Sequence, residues 1–92
     1  MNIFAGLQKY ADTYKVIDSR PFDAEEQAQV HSAKVVTSQY GFSVCFFMVG
    51  GGQKYIPVSR DSIVSDGDPV DVSKAKILTL QRDGETIFRI EC

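Results

Sequence analysis

Apolar positions follow two different periods along the chain. Ile3, Phe4, Leu7, Tyr10, Ala11 and Tyr14 recur at i, i+1, i+4, i+7, i+8 and i+11, the rhythm of one helical face. This spacing predicts an amphipathic helix over residues 2–12, weakened at Gly6 by about 1 kcal/mol relative to alanine. TYKVIDS, residues 13–19, reads as extended. RPFDAEEQAQVHSA opens a second helix, because Asp23 can cap it while Glu26, three residues on, reaches back in a capping box, and Glu25 favours the dipole. That helix is expected to run about two to three turns and to bury little, either Ala24 and Ala28 with His31, or Val30 with Ala33.

From Lys34 onward the period becomes two. KVVTS is a strand, QYGF a turn centred on Gly41, SVCFFMV a strand rich in aromatic and β-branched residues, and QKYIPVS another. With Gly50, Gly51 and Gly52 as the bend, Phe47 falls opposite Tyr55, Phe46 opposite Ile56 and Val44 opposite Val58. One face then collects Phe42, Val44, Phe46, Met48, Ile56 and Val58, as a core requires. The other carries Cys45, Phe47, Val49, Tyr55 and Pro57, and Pro57, with no N–H for a ladder, belongs on an edge or at a bulge. Residues 59–75 form a polar connection with one short extended piece at Ser62–Val64. KILTLQRDGETIFRIE is a hairpin, since Asp83-Gly84 favours a type I′ turn that sets Leu80 opposite Ile87 and Thr79 opposite Phe88. Both faces of this hairpin are partly apolar, so a covering element is required, and the N-terminal helix is the natural one. The expected fold is α+β: two short N-terminal helices followed by a five- or six-stranded, mostly antiparallel curled sheet or small open barrel.

Composition narrows what such a fold can do. Ninety-two residues, 43% of them hydrophobic and 24% charged, suit one globular domain over 1–92 with a modest core and no deep cleft. Ten Lys and Arg stand against twelve Asp and Glu, so long-range electrostatics offer no general attraction to nucleic acid or anionic lipid. The N-terminus lacks a basic region before an unbroken apolar stretch, and the run Val44–Val49 is too short to span a bilayer, which predicts a soluble, cytoplasmic protein with no membrane association.

Candidate chemistry is sparse. A phosphate loop needs its glycines between a strand and a helix, whereas Gly52 is followed by a strand, so the three glycines read as a hairpin bend; Lys54 nearby keeps an anion-binding alternative open. Asp66, Asp68 and Asp71 lack the twelve-residue calcium pattern and read as turn formers. His31 is the one imidazole; Ser32 beside it and Cys45 carry no nucleophile signature, and Cys45 and Cys92 form neither a CxxC pair nor a Cys/His zinc set. No enzymatic activity, cofactor or metal is expected. Cys45 reads as a small core hydrophobe and Cys92 as an exposed thiol.

What rises above this background is aromatic content on the less apolar sheet face: Phe47 and Tyr55 as a cross-strand pair, Tyr40 at the preceding turn, and Lys54 and Arg60 nearby. Rings flanked by cations could anchor a protein partner or stack unpaired bases, or the first helix could lie over them as a second core layer. SQYGFSVCFFMVGGGQKYIPVS, together with GDPVDVSKAKILTL, resembles small uncharacterised proteins encoded by phages and mobile elements of gut bacteria. The resemblance implies a self-contained accessory protein working in the host cytoplasm and assigns no site residue. The expected function is a non-enzymatic protein-interaction or assembly module, using the Phe47–Tyr55 face or the strand edge bearing Pro57; the alternative is a small barrel-like single-stranded nucleic-acid-binding protein.

Overall fold

The computed structural model describes residues 14–39 and 41–92. The helix expected over residues 2–12 lies outside them. Six strands and one short helix follow one another: β1 (Lys15–Pro21), α1 (Ala24–Gln29), β2 (Val30–Ser38), β3 (Gly41–Met48), β4 (Gln53–Pro57), β5 (Lys76–Arg82) and β6 (Glu85–Glu91). They form two three-stranded antiparallel sheets, in the orders β1-β5-β6 and β2-β3-β4.

This overturns the α+β expectation of two N-terminal helices ahead of one curled sheet or small open barrel. Among the described residues the fold is mostly β, a strand precedes the helix, and the helix has six residues with none buried. Its start is the expected capping box: the Asp23 carboxylate accepts from the Glu26 N–H at 2.7 Å and the Glu26 carboxylate accepts from the Asp23 N–H at 2.9 Å. Its end comes early because Val30 onward pairs with β3. A helix of under two turns gains little against a ladder reaching from Val30↔Met48 to Ser38↔Gly41, and Val30, Val35 and Val36 prefer the strand. His31 and Ser32, expected on the helix, are exposed strand residues, and the register shifts around His31.

β1, β5 and β6 form a separate sheet because β5 takes β1 as its second partner, from Lys15↔Gln81 to Pro21↔Lys76, with an irregularity at Ile17. Ile77 and Ile90 on this sheet meet Ala33, Val44 and Phe46 from the other, with Phe22 and Ala75 from the connections closing the core. Phe46 is 3% exposed and Ile56 packs against the same cluster, as the alternation requires. Phe42, expected with them, is exposed at the end of β3, beside the turn into Gly41. Asp83 and Gly84 have φ of 47° and 81°, as a type I′ turn demands, and the Leu80↔Ile87 and Thr79↔Phe88 register follows.

Among the described residues the two sheets pair edge to edge at one place. Val58, just after β4, bridges Ile90 of β6 in parallel, and Ser59 donates its N–H to the Ile90 carbonyl at 2.8 Å. Ser59 Oγ and Ser62 Oγ lie 2.9 Å apart, and the Cys92 N–H donates to Ser62 Oγ, which ties the chain end to this junction.

Candidate functional site

The glycine stretch is a bend. Gly51 donates its N–H to the Met48 carbonyl at 3.0 Å and Met48 donates to the Gly52 carbonyl at 3.2 Å, so these amides are spent within the loop. Gly51 and Gly52 have φ of 92° and 84°, which explains glycine there. Met48, the last residue of β3, bonds to Gly52 within the bend, so the first β3–β4 pair is Phe47↔Gln53 and the register runs two residues away from the expected one. A slip of two keeps every side chain on its face and changes its partner. Phe47 therefore does not face Tyr55 across the ladder.

The sequence-derived residues separate accordingly. Phe47 is partly buried, with the Lys34 ammonium 5.7 Å from its ring centre. Tyr55 stands opposite Cys45, is 58% exposed, and donates its hydroxyl to Gln53 at 2.8 Å. The adjacent Cys45 thiol raises the Tyr55 phenol above its ordinary pKa. Cys45 is buried, but on the face turned away from the shared core, in the row Lys34, Cys45, Tyr55. Lys54 pairs with Phe46 on the core-side face and lines the groove described below, while Arg60 lies beyond β4 beside Pro57 and Ser59. Tyr40 falls outside the described residues. Tyr55 and Lys54 are thus brought to one place, and Phe47 and Arg60 to others.

What sequence reasoning missed is the second wall. β4 and β6 run in the same direction toward the Val58–Ile90 bridge and leave between them a cleft of about 550 Å³. Tyr55, Ile56 and Pro57 form one side, Ile87, Phe88 and Arg89 the other, with Ile77 between and Arg20 and Glu26 at the rim. A smaller pocket of about 250 Å³ shares Glu26, Tyr55, Ile56 and Ile77 and continues past Lys54 to Met48 and Phe22. The two make one groove along β4. Phe88 occupies the core-side face of β6 one pair beyond the end of the core and is 53% exposed. Alternation along the last hairpin puts Phe88 on the face of Ile77 and Ile90, and the edge-to-edge approach to β4 is what the sequence does not show.

The rim is a built feature. Arg20 of β1 holds Glu26 of α1 through two hydrogen bonds of 2.6 and 2.9 Å. That pairing, with the Asp23 N–H, lowers the Glu26 carboxyl to a pKa of about 2. Beyond the groove, Asp66, Asp68 and Asp71 serve turns and loop contacts, accepting from Thr37, Ser65 and Ser73, and no metal-binding cluster occurs among the described residues. His31 makes no hydrogen bond to Ser32 or Cys45 among the described residues. No helix among them is long and apolar enough to cross a membrane. No family model, curated protein or solved structure matches this chain.

Proposed function

We propose that the protein is a non-enzymatic interaction module that receives a protein partner along β4, with Tyr55, Pro57 and Phe88 as its principal contacts. The observation that carries this reading is the pair of strand edges, on β4 and β6, that among the described residues pair only at the Val58–Ile90 bridge and otherwise open onto one groove with exposed aromatic side chains. Exposed strand edges are templates for pairing, and exposed aromatic residues beside an arginine are the usual composition of interface hot spots. The likeness to phage-encoded proteins adds an accessory role in a bacterial host to this reading.

A photo-crosslinking side chain placed at Tyr55 tests it against the same group placed at Val16, which is equally exposed on β1. In native lysate the Tyr55 probe is expected to trap a protein that the Val16 probe does not. Equal trapping from both positions, or none, overturns the reading. Salt-sensitive binding of labelled single-stranded oligonucleotide, lost in Phe47→Ala and Tyr55→Ala, would instead establish the nucleic-acid alternative.

A further inference from the structure

We propose that the groove takes an extended acidic peptide, added as a β-strand between β4 and β6 and antiparallel to both; this rests on the interaction reading above. The argument starts from the backbone. Met48 donates to Gly52 and Val58 donates its N–H to the Phe42 carbonyl at 3.0 Å, so the even-numbered residues of β4 point toward β3. By ladder alternation Gln53 and Tyr55 turn their N–H and C=O groups the other way. On β6 the Ile90 carbonyl points outward to Ser59, so Phe88 and Thr86 do likewise. Four residues on two strands therefore present donors and acceptors in alternation to the same gap. Only another peptide backbone matches that pattern on both sides; a nucleic-acid backbone carries acceptors without amide donors.

The direction follows from the topology. β4 and β6 are parallel to each other, so a strand running against β4 also runs against β6, which gives the better-aligned ladder on each side. The bridge at Val58 and Ile90 closes the gap at one end, so the peptide enters from the Gln53 and Thr86 end. Seating it would join the two sheets into one of seven strands.

Side-chain chemistry sets the sequence it prefers. The groove floor is Ile56 and Ile77, so side chains on that face are apolar. The charges are unbalanced: Arg20 is matched by Glu26, whereas Lys54 and Arg89 make no ion pair or hydrogen bond among the described residues. On a chain of formal charge −2 the groove is locally cationic. Alternating β-branched apolar and acidic residues fit both features, the apolar ones over Ile56 and Ile77 and the acidic ones on the opposite face, beside Arg89.

The test uses the full chain, isotope-labelled, and a blocked hexapeptide of alternating valine and aspartate. Saturable shifts confined to the amides of Gln53, Tyr55, Thr86 and Phe88, with their hydrogen exchange slowed tenfold or more, are expected. The same peptide N-methylated at alternate amides keeps every side chain and is expected to lose binding. Arg89→Glu, on the surface, is expected to weaken binding about tenfold, one charge pair's worth. Equal binding of the N-methylated peptide, or shifts at Phe47 and Lys34 instead, overturns strand addition. So does a labelled oligothymidylate that moves these amides when the peptide does not. If the hexapeptide fails while the Tyr55 probe still traps a protein, strand addition is wrong and the interaction reading stands. Failure of both removes both.

Discussion

The sheet β2-β3-β4 has two outer edges, and the protein treats them in opposite ways. Along β2, residues 66–70 of the long connection lie against the strand as a substitute partner. Gly67 donates to the Val35 carbonyl and Val35 to the Asp68 carbonyl, both at 2.8 Å; Val70 donates to the Ala33 carbonyl, and Pro69 bridges Lys34. The Asp66 carboxylate accepts from both the N–H and the hydroxyl of Thr37 at 2.9 Å. Along β4 the outward groups of the described residues meet protein at the Val58–Ile90 bridge, where Ser59 donates to the Ile90 carbonyl. Among the described residues one edge of this sheet is covered and the other open, and the open one carries Tyr55 and Pro57. β1, the outer strand of the second sheet, is blunted differently, by the irregularity at Ile17 and the charges of Lys15, Asp18 and Arg20.

The largest effect is expected where the open edge is anchored. Ile90 is fully buried at the one bridge between the sheets among the described residues, and Ile90→Ala should cost about 2–5 kcal/mol in urea unfolding. In the same variant the Ser59 amide should exchange faster while Gly67 keeps its protection; equal loss at both would mean that the two edges are not independent. Next, Asp66→Ala removes the two side-chain bonds that fasten the start of the loop to Thr37, with an expected loss of about 1 kcal/mol. Exchange at Thr37 should rise and exchange at Tyr55, whose N–H faces away from β3, should not change.

Acid offers a smaller lever on the open side. The Glu26 carboxyl titrates at about 2 in the folded protein, below its ordinary value near 4.5, so its pairing with Arg20 stabilises the fold above pH 4.5 and is lost as pH falls toward 2. Glu26→Gln should therefore flatten the decline of Tm between pH 5 and 2, by a small amount because the pair is largely exposed. Smallest in stability is Pro57→Val. It gives the open edge one more residue able to donate, so unfolding should shift by less than about 0.5 kcal/mol, while sedimentation should show concentration-dependent association absent from the parent chain.

How much of this was legible depends on how local each signal is. Asp83-Gly84 admits one two-residue turn, and the whole β5–β6 register follows from it. The glycine bend admits several loop lengths, so the faces of β3 and β4 were legible and the partners were not: Tyr55 meets Cys45 where Phe47 was expected. The capping box at Asp23 and Glu26 marks where α1 begins, but its end is decided by β3, which no residue near Gln29 announces. β1 carries an extended pattern, yet nothing in it names β5, some sixty positions away in sequence, as its partner. The candidate site divides along the same line. Tyr55, Lys54 and Pro57 were visible in a strand of mixed pattern, whereas Phe88 and Arg89 join them only because two sheets meet at Val58 and Ile90.

The placement of the two sulfur atoms has a consequence of its own. Cys45 is enclosed within the row Lys34, Cys45, Tyr55, while Cys92 stands exposed as the last residue, its thiol raised in pKa by partial burial. An oxidant or an alkylating dye thus meets a single, slow-reacting handle per folded chain. Covalent linkage through Cys92 joins copies in pairs, and a label attached there reports from the corner where the strands of both sheets converge.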